Sequence, residues 1–83
     1  MAAPLRNAMD KDQSAQLQNR LRELRTARGW TQQALAERVD VSRQTIIAIE
    51  KGQYNPTTVL ALKLARVLER PFSDIFWLTD ELS

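Results

Sequence analysis

Arg43 and Gln44 stand side by side, followed by Ile47, Ala48 and, one turn further on, Lys51. On a helical wheel stepping about 100° per residue, these five share one side, and Ile46 and Ile49 occupy the other. An arginine can donate two parallel hydrogen bonds to O6 and N7 of guanine. A glutamine can pair in the same two-point manner with N6 and N7 of adenine. An isoleucine or alanine beside them can rest on a thymine methyl group. This is a set suited to reading base edges, with Arg43, Gln44, Ile47 and Ala48 as candidate readers. Arg43 and Gln44 lie in the first turn, the part of a recognition helix that reaches the bases. The alternative for Ile47 is packing against a neighbouring loop, and each polar residue taken singly also fits a solvated surface. Thr45, Lys51, Gln53 and Asn55 are candidates for holding phosphate from this helix and the loop after it. Gln32 and Gln33 are candidates from the start of the preceding helix, where free N–H groups and the dipole favour anions. Such contacts position a protein on DNA without reading sequence.

Other chemistries are poorly supplied. The 83 residues include no cysteine and no histidine. The commonest general base and the commonest neutral metal ligand are therefore missing, and so is any disulfide or thiolate site. The ten acidic residues form no paired cluster, and no glycine-rich loop is present to cradle phosphate. The expectation is a protein with no enzymatic activity, no catalytic residue, no metal and no cofactor. No apolar run approaches the roughly 20 residues of a membrane span, and Met1–Ser14 lacks the apolar centre of a signal peptide. A cytoplasmic protein with no membrane contact is expected. With no sensor domain visible, no small-molecule ligand is expected either. The net charge of +2 is unevenly spread. From Arg20 to Gln53 seven basic residues face four acidic ones, whereas from Glu69 to Ser83 one basic residue faces four acidic ones. A basic middle and an acidic tail suit one face turned to an anionic partner and one turned away, although a solvated charged surface would show the same counts.

The elements that must position these residues follow from periodicity and caps. Residues 1–14 have no period and read as a disordered arm; residues 15–83 form one domain. From Ala15 the pattern turns helical, with Leu17, Leu21 and Leu24 at helical spacing and Gly29 as the stop. Thr31 caps a second helix with Leu35, Ala36 and Val39 on its buried face, and Trp30 and Leu35 are placed as a staple across the cap. Ser42 caps the third helix, which runs to Lys51 before Gly52. A fourth helix, about Thr57 to Leu68, is apolar around most of its circumference and should be the central buried one. Pro71 breaks it. Ser73 caps a short fifth helix, with Phe72 and Trp77 as a staple. No strand alternation is evident, so the fold class is all-α, five helices around one core.

The turn from Val39 to Ser42 is too short for parallel packing, so the helices on either side cross steeply. Together with the string from Arg25 to Ala36 and the string from Val41 to Pro56, this resembles the Xre/Cro-type helix-turn-helix regulators, in particular their short prokaryotic members. The resemblance runs from about Leu17 to Leu78. It implies a five-helix, lambda-repressor-like domain that binds double-stranded DNA as a homodimer on a palindromic operator, regulating transcription as a repressor. By the same resemblance Arg25 and Glu50 form a partly buried ion pair joining the first helix to the third. Two positions depart from the family pattern. Asp40 stands where glycine is usual, and its backbone should be left-handed, which Asp tolerates better than most residues. Ala34 stands where glutamate often completes a capping box. Two other readings remain: a protein-binding module, such as an antitoxin domain, and a helical oligomerisation domain.

Ile75, Phe76, Trp77 and Leu78 are four consecutive apolar residues. One face of a two-turn helix cannot bury all four. At least one, Trp77 or Leu78, should be exposed, and the run is the candidate dimer interface with help from the fourth helix.

Overall fold

A computed structural model describes residues 15–80; the arm expected over residues 1–14, and residues 81–83, lie outside the described residues. The order is β1 (Ala15–Asn19), α1 (Leu21–Ala27), α2 (Gln32–Arg38), α3 (Arg43–Glu50), α4 (Thr58–Leu68), α5 (Phe72–Ile75) and β2 (Phe76–Asp80). Three N-caps stand where side-chain chemistry requires them. Thr31, Ser42 and Thr57 accept from the backbone N–H groups of Ala34, Thr45 and Leu60 at 3.0, 3.2 and 3.1 Å. The helices are too short to be stable singly, so their ends and their packing carry them.

Four helix ends share one closure. Gly29, Asp40, Gly52 and Glu69 have positive φ angles of 73°, 62°, 76° and 55°. Just beyond each, the backbone N–H reaches back into the helix. Trp30 donates to Arg25, Val41 to Ala36, Gln53 to Ala48 and Arg70 to Ala65, over 3.2, 3.0, 2.9 and 3.1 Å. This is the Schellman arrangement, which satisfies carbonyls that have no partner further along the helix. Asp40 adopts it with a side chain in place, as its position in the tight turn demands. Glu69 does the same with no signal in the sequence beyond its place at the helix end.

The core is continuous and aliphatic apart from Phe76: Leu21, Leu35, Val39, Ile46, Ile49, Leu64, Leu68 and Ile75 are its largest fully buried side chains. Ala36 is also fully buried, which allows α2 and α3 to approach closely. The α4 helix is less enclosed than its composition suggests. Leu60, Ala61, Leu64 and Leu68 face the core, but Val59 and Leu62 are 65% and 56% exposed. Apolar character all round the helix thus divides between a core face and an unshielded one.

The all-α expectation needs correction at both ends. Residues 15–19 pair antiparallel with residues 76–80, with Leu17 opposite Leu78 and Asn19 opposite Phe76. Leu17 packs on the core from this strand. A spacing of four residues is compatible with a strand as well as a helix, so Leu17 and Leu21 do not discriminate between them. The helix is stopped from extending backwards by Asn19. Its Oδ1 accepts from the Leu21 N–H at 3.0 Å, and its Nδ2 donates to the Ile49 carbonyl at 3.0 Å. At the other end, α5 is a single turn following Pro71, and no side chain caps it; Ser73 is not the cap. The expected staple is also absent. Phe72 meets Phe76 instead, with ring centroids 5.5 Å apart. Trp77 lies on β2 under the Arg20 guanidinium, 5.2 Å from it.

One polar network crosses the packing. Arg25 Nε donates to Glu50 Oε2 at 2.7 Å and Arg25 Nη2 to Glu50 Oε1 at 3.3 Å, while Nη1 donates to the Trp30 carbonyl at 2.8 Å. The side chains of the pair are only 9% and 5% exposed. It joins α1 to the end of α3. Nearby, two guanidiniums approach the Trp30 ring, Arg38 at 4.2 Å and Arg28 at 5.4 Å from its centroid. Arg28 also donates to the Leu68 carbonyl at 2.8 Å, tying the end of α1 to the end of α4.

Two outcomes are expected. Arg25→Ala leaves Glu50 buried and unpaired, and should lower the unfolding free energy in urea by about 3–5 kcal/mol. Glu69→Gly removes left-handed strain at the cost of one exposed ion pair to Arg28, and Asp40→Gly removes the same strain in the tight turn. Each should raise stability by about 0.5–1 kcal/mol, read as a higher denaturant midpoint at unchanged slope.

Candidate nucleic-acid interface

The reading candidates depend on how α3 is rotated, and Ile46 and Ile49 set that rotation by being fully buried. Arg43 and Gln44 are then exposed, and Ile47 and Ala48 half-buried. Ser42 anchors the first turn through its cap and a hydroxyl contact with Thr45 at 3.0 Å. Among the described residues, neither Arg43 nor Gln44 has a hydrogen-bond partner. The two-donor fork of Arg43 and the donor-acceptor amide of Gln44 are therefore open to an external ligand. Ile47 borders an open recess of about 450 Å³ that Arg22, Gln32, Glu50 and Lys51 also line. It both packs against the edge of this recess and shares the face of Arg43.

The phosphate candidates fall into two groups. Lys51, Gln53 and Asn55 are exposed at the end of α3 and in the loop after it. The amides at the start of α2 are engaged within the protein. Gln32 Nε2 donates to Glu50 Oε1 at 3.1 Å, and Gln33 Nε2 donates to Glu37 Oε2 at 3.0 Å. Thr45 is half-buried, with its hydroxyl against Ser42. The dimer candidates separate as well: Ile75 and Phe76 are core residues, while Trp77 and Leu78 are 39% and 67% exposed. The run is one residue of helix and three of strand, with its first two side chains in the core and its last two outside it.

Arg28 and Arg70 are paired with Glu69 and Asp74. Among the described residues Arg22, Arg43 and Lys51 have no carboxylate partner, and the same holds for Arg20, Arg38, Lys63 and Arg66. Arg22 does not stand out in the sequence as a site residue. A signal for it exists all the same: it precedes Arg25 by three residues, which places the two on one face of α1. Among the described residues no group of Asp and Glu is arranged to hold a metal ion, and no helix is long and apolar enough to cross a membrane.

Residues 21–75 match the helix-turn-helix family HTH_3. An uncharacterized HTH-type transcriptional regulator of Bacillus subtilis, YgzD, is 45% identical over 65 residues, covering 78% of this chain and 98% of the relative. Another, from Methanothermobacter thermautotrophicus, is 51% identical over 61 residues, covering 74% of this chain and 88% of the relative. The structure is similar to that of the restriction-modification controller protein C.AhdI from Aeromonas hydrophila. The TM-score is 0.63 and the identity 42%, over 66% of this chain and 83% of that one. The chain belongs to the HTH_3 family of Xre/Cro-type regulators, and is a transcriptional regulator with a helix-turn-helix DNA-binding domain.

Proposed function

We propose that the protein binds double-stranded DNA sequence-specifically as a homodimer, with α3 in the major groove, and represses transcription from a palindromic operator. The observation that carries the reading is the pair Arg43 and Gln44. Both are exposed and without a protein partner among the described residues, in the first turn of a helix whose opposite face is locked into the core. Ile47 and Ala48 add an apolar surface for a thymine methyl group. Lys51, Gln53, Asn55 and Thr45 hold phosphates from the α3 helix and the loop after it. Gln32 and Gln33 do so from the start of α2, each with the amide N–H that its internal hydrogen bond leaves over. The protein acts without a cofactor or small-molecule ligand, in the cytoplasm where the chromosome is. Repression follows from occupying DNA that the polymerase needs.

A single recognition helix spans too few base pairs to select one site in a genome, which favours a symmetric pair. Support for the pair comes from the apolar side chains left outside the core: Val59 and Leu62 on α4, and Trp77 and Leu78 on β2. Ile75 and Phe76 belong to the core and support this surface from beneath. Two copies joined this way would present their third helices about 34 Å apart, one turn of DNA.

Site selection from random duplexes tests the reading face. Arg43→Ala should cost about 1–3 kcal/mol on the preferred site and relax the choice at one base pair per half-site. An unchanged selected sequence would show that another face reads the DNA. Light scattering tests the pair. The full chain should be dimeric at micromolar concentration, and Leu62→Glu or Leu78→Glu should shift it to monomer. Dimers that survive both substitutions would place the interface elsewhere.

A further inference from the structure

Arg22 belongs to α1, outside the helix-turn-helix, and the reading face described above does not use it. Its side chain is exposed and lines the same recess as Lys51 and Gln32. The carboxylate in this recess does not oppose an anion. Glu50 is bound by Arg25 through Nε at 2.7 Å and Nη2 at 3.3 Å, and the two charges cancel. That leaves two cations, Arg22 and Lys51, with no carboxylate partner among the described residues. Like charges held at one open recess raise a positive potential that is relieved by an anion between them. Gln32 adds a neutral donor. Glu50 Oε1 takes one of its amide hydrogens at 3.1 Å, which fixes the amide and leaves the second hydrogen for a ligand. The recess is also bounded by Ile47, so it abuts the face that carries Arg43. The anion nearest a helix lying in the major groove is a phosphodiester of the DNA backbone.

We infer that Arg22 and Lys51 form a two-cation clamp on one backbone phosphate of the bound DNA, with Glu50 as the positioning residue that orients the Gln32 amide beside them. The inference rests on the DNA-binding reading proposed above. It extends the contact surface beyond the helix-turn-helix to α1 and gives Glu50 a second task besides pairing with Arg25.

Fluorescence anisotropy of the full chain on its selected operator and on a random-sequence duplex, across a series of salt concentrations, tests the clamp. Removing one cation from a phosphate makes the slope of log affinity against log salt shallower by about 0.9, so Arg22→Ala should make it shallower by about 1.8 for a dimer on two half-sites. The change should be equal on both duplexes, the selected sequence should stay the same, and Arg22→Lys should restore most of the slope. Arg70→Ala, which removes an exposed cation just after α4 that is paired with Asp74, should leave the slope as it is. An unaltered melting temperature for Arg22→Ala shows that the exposed substitution spares the fold. An unchanged slope in Arg22→Ala overturns the clamp while DNA binding by the parent stands. A changed sequence preference overturns it too, by making Arg22 a base reader. A parent protein that binds neither duplex overturns the DNA-binding reading itself, before any variant is compared.

Discussion

The Arg25–Glu50 pair is the interaction on which the arrangement of α3 depends. Burial of apolar surface holds the helices together, but it is non-directional and tolerates small rotations of one helix on another. The guanidinium fork is not so tolerant. It makes two bonds to Glu50 and a third to the Trp30 carbonyl, so a displacement of α3 against α1 strands a charge in a site that water barely reaches. Glu50 passes the constraint on to Gln32. Four points of the chain, in α1, before α2, at the start of α2 and at the end of α3, are thereby held to one geometry. Three of the residues concerned, Arg25, Gln32 and Glu50, also line the recess beside the candidate reading face.

Around that network the fold is economical in local structure. Among the described residues no helix exceeds the 11 residues of α4, and α5 is a single turn. Such helices persist because three hydroxyl caps begin them and four left-handed closures end them, leaving few backbone groups unpaired. Two closures use Asp40 and Glu69 where glycine would be less strained. Asp40 occupies the turn that sets the crossing of α2 and α3, while Glu69 is bonded to Arg28 at 3.1 Å. The short sheet then joins the two ends of the described chain, and Arg20 N–H adds a bond to the Ile75 carbonyl at 3.0 Å where the strands meet the helices.

The surface is divided by the same packing. Burying Ile46 and Ile49 turns Arg43 and Gln44 outward, and burying Leu60, Leu64 and Leu68 turns Val59 and Leu62 outward. The first exposed set is polar and cationic, the second apolar. A helix that shows water an apolar side has a different use from one that shows it donors, which is the physical ground for proposing DNA at one face and a second copy of the chain at another.

Several features are legible in the residues alone because their hydrogen bonds close within a few positions. Thr31 and Ser42 as caps and Gly29 and Gly52 as stops are of this kind; the inward Ile46 and Ile49 follow from helical periodicity, and the left-handed Asp40 from the family pattern that has glycine there. The Arg25–Glu50 pair lies 25 residues apart in the chain and is expected through family resemblance, not from spacing. What the sequence leaves undetermined needs partners brought from a distance. Leu17 could continue a helix or lie in a strand, and only pairing with Leu78 at the other end of the described chain decides it. Ile75 through Leu78 could form one amphipathic turn or split between core and surface, and the packing buries Ile75 and Phe76 while leaving Trp77 and Leu78 outside. Likewise α4 carries more apolar residues than one core can cover, and Arg22 gains meaning only when α1 is laid beside the end of α3. Caps and turns are settled by backbone groups within one helical turn of each other; strand pairing and the division of a helix into covered and uncovered faces are settled only by the tertiary packing that supplies the cover.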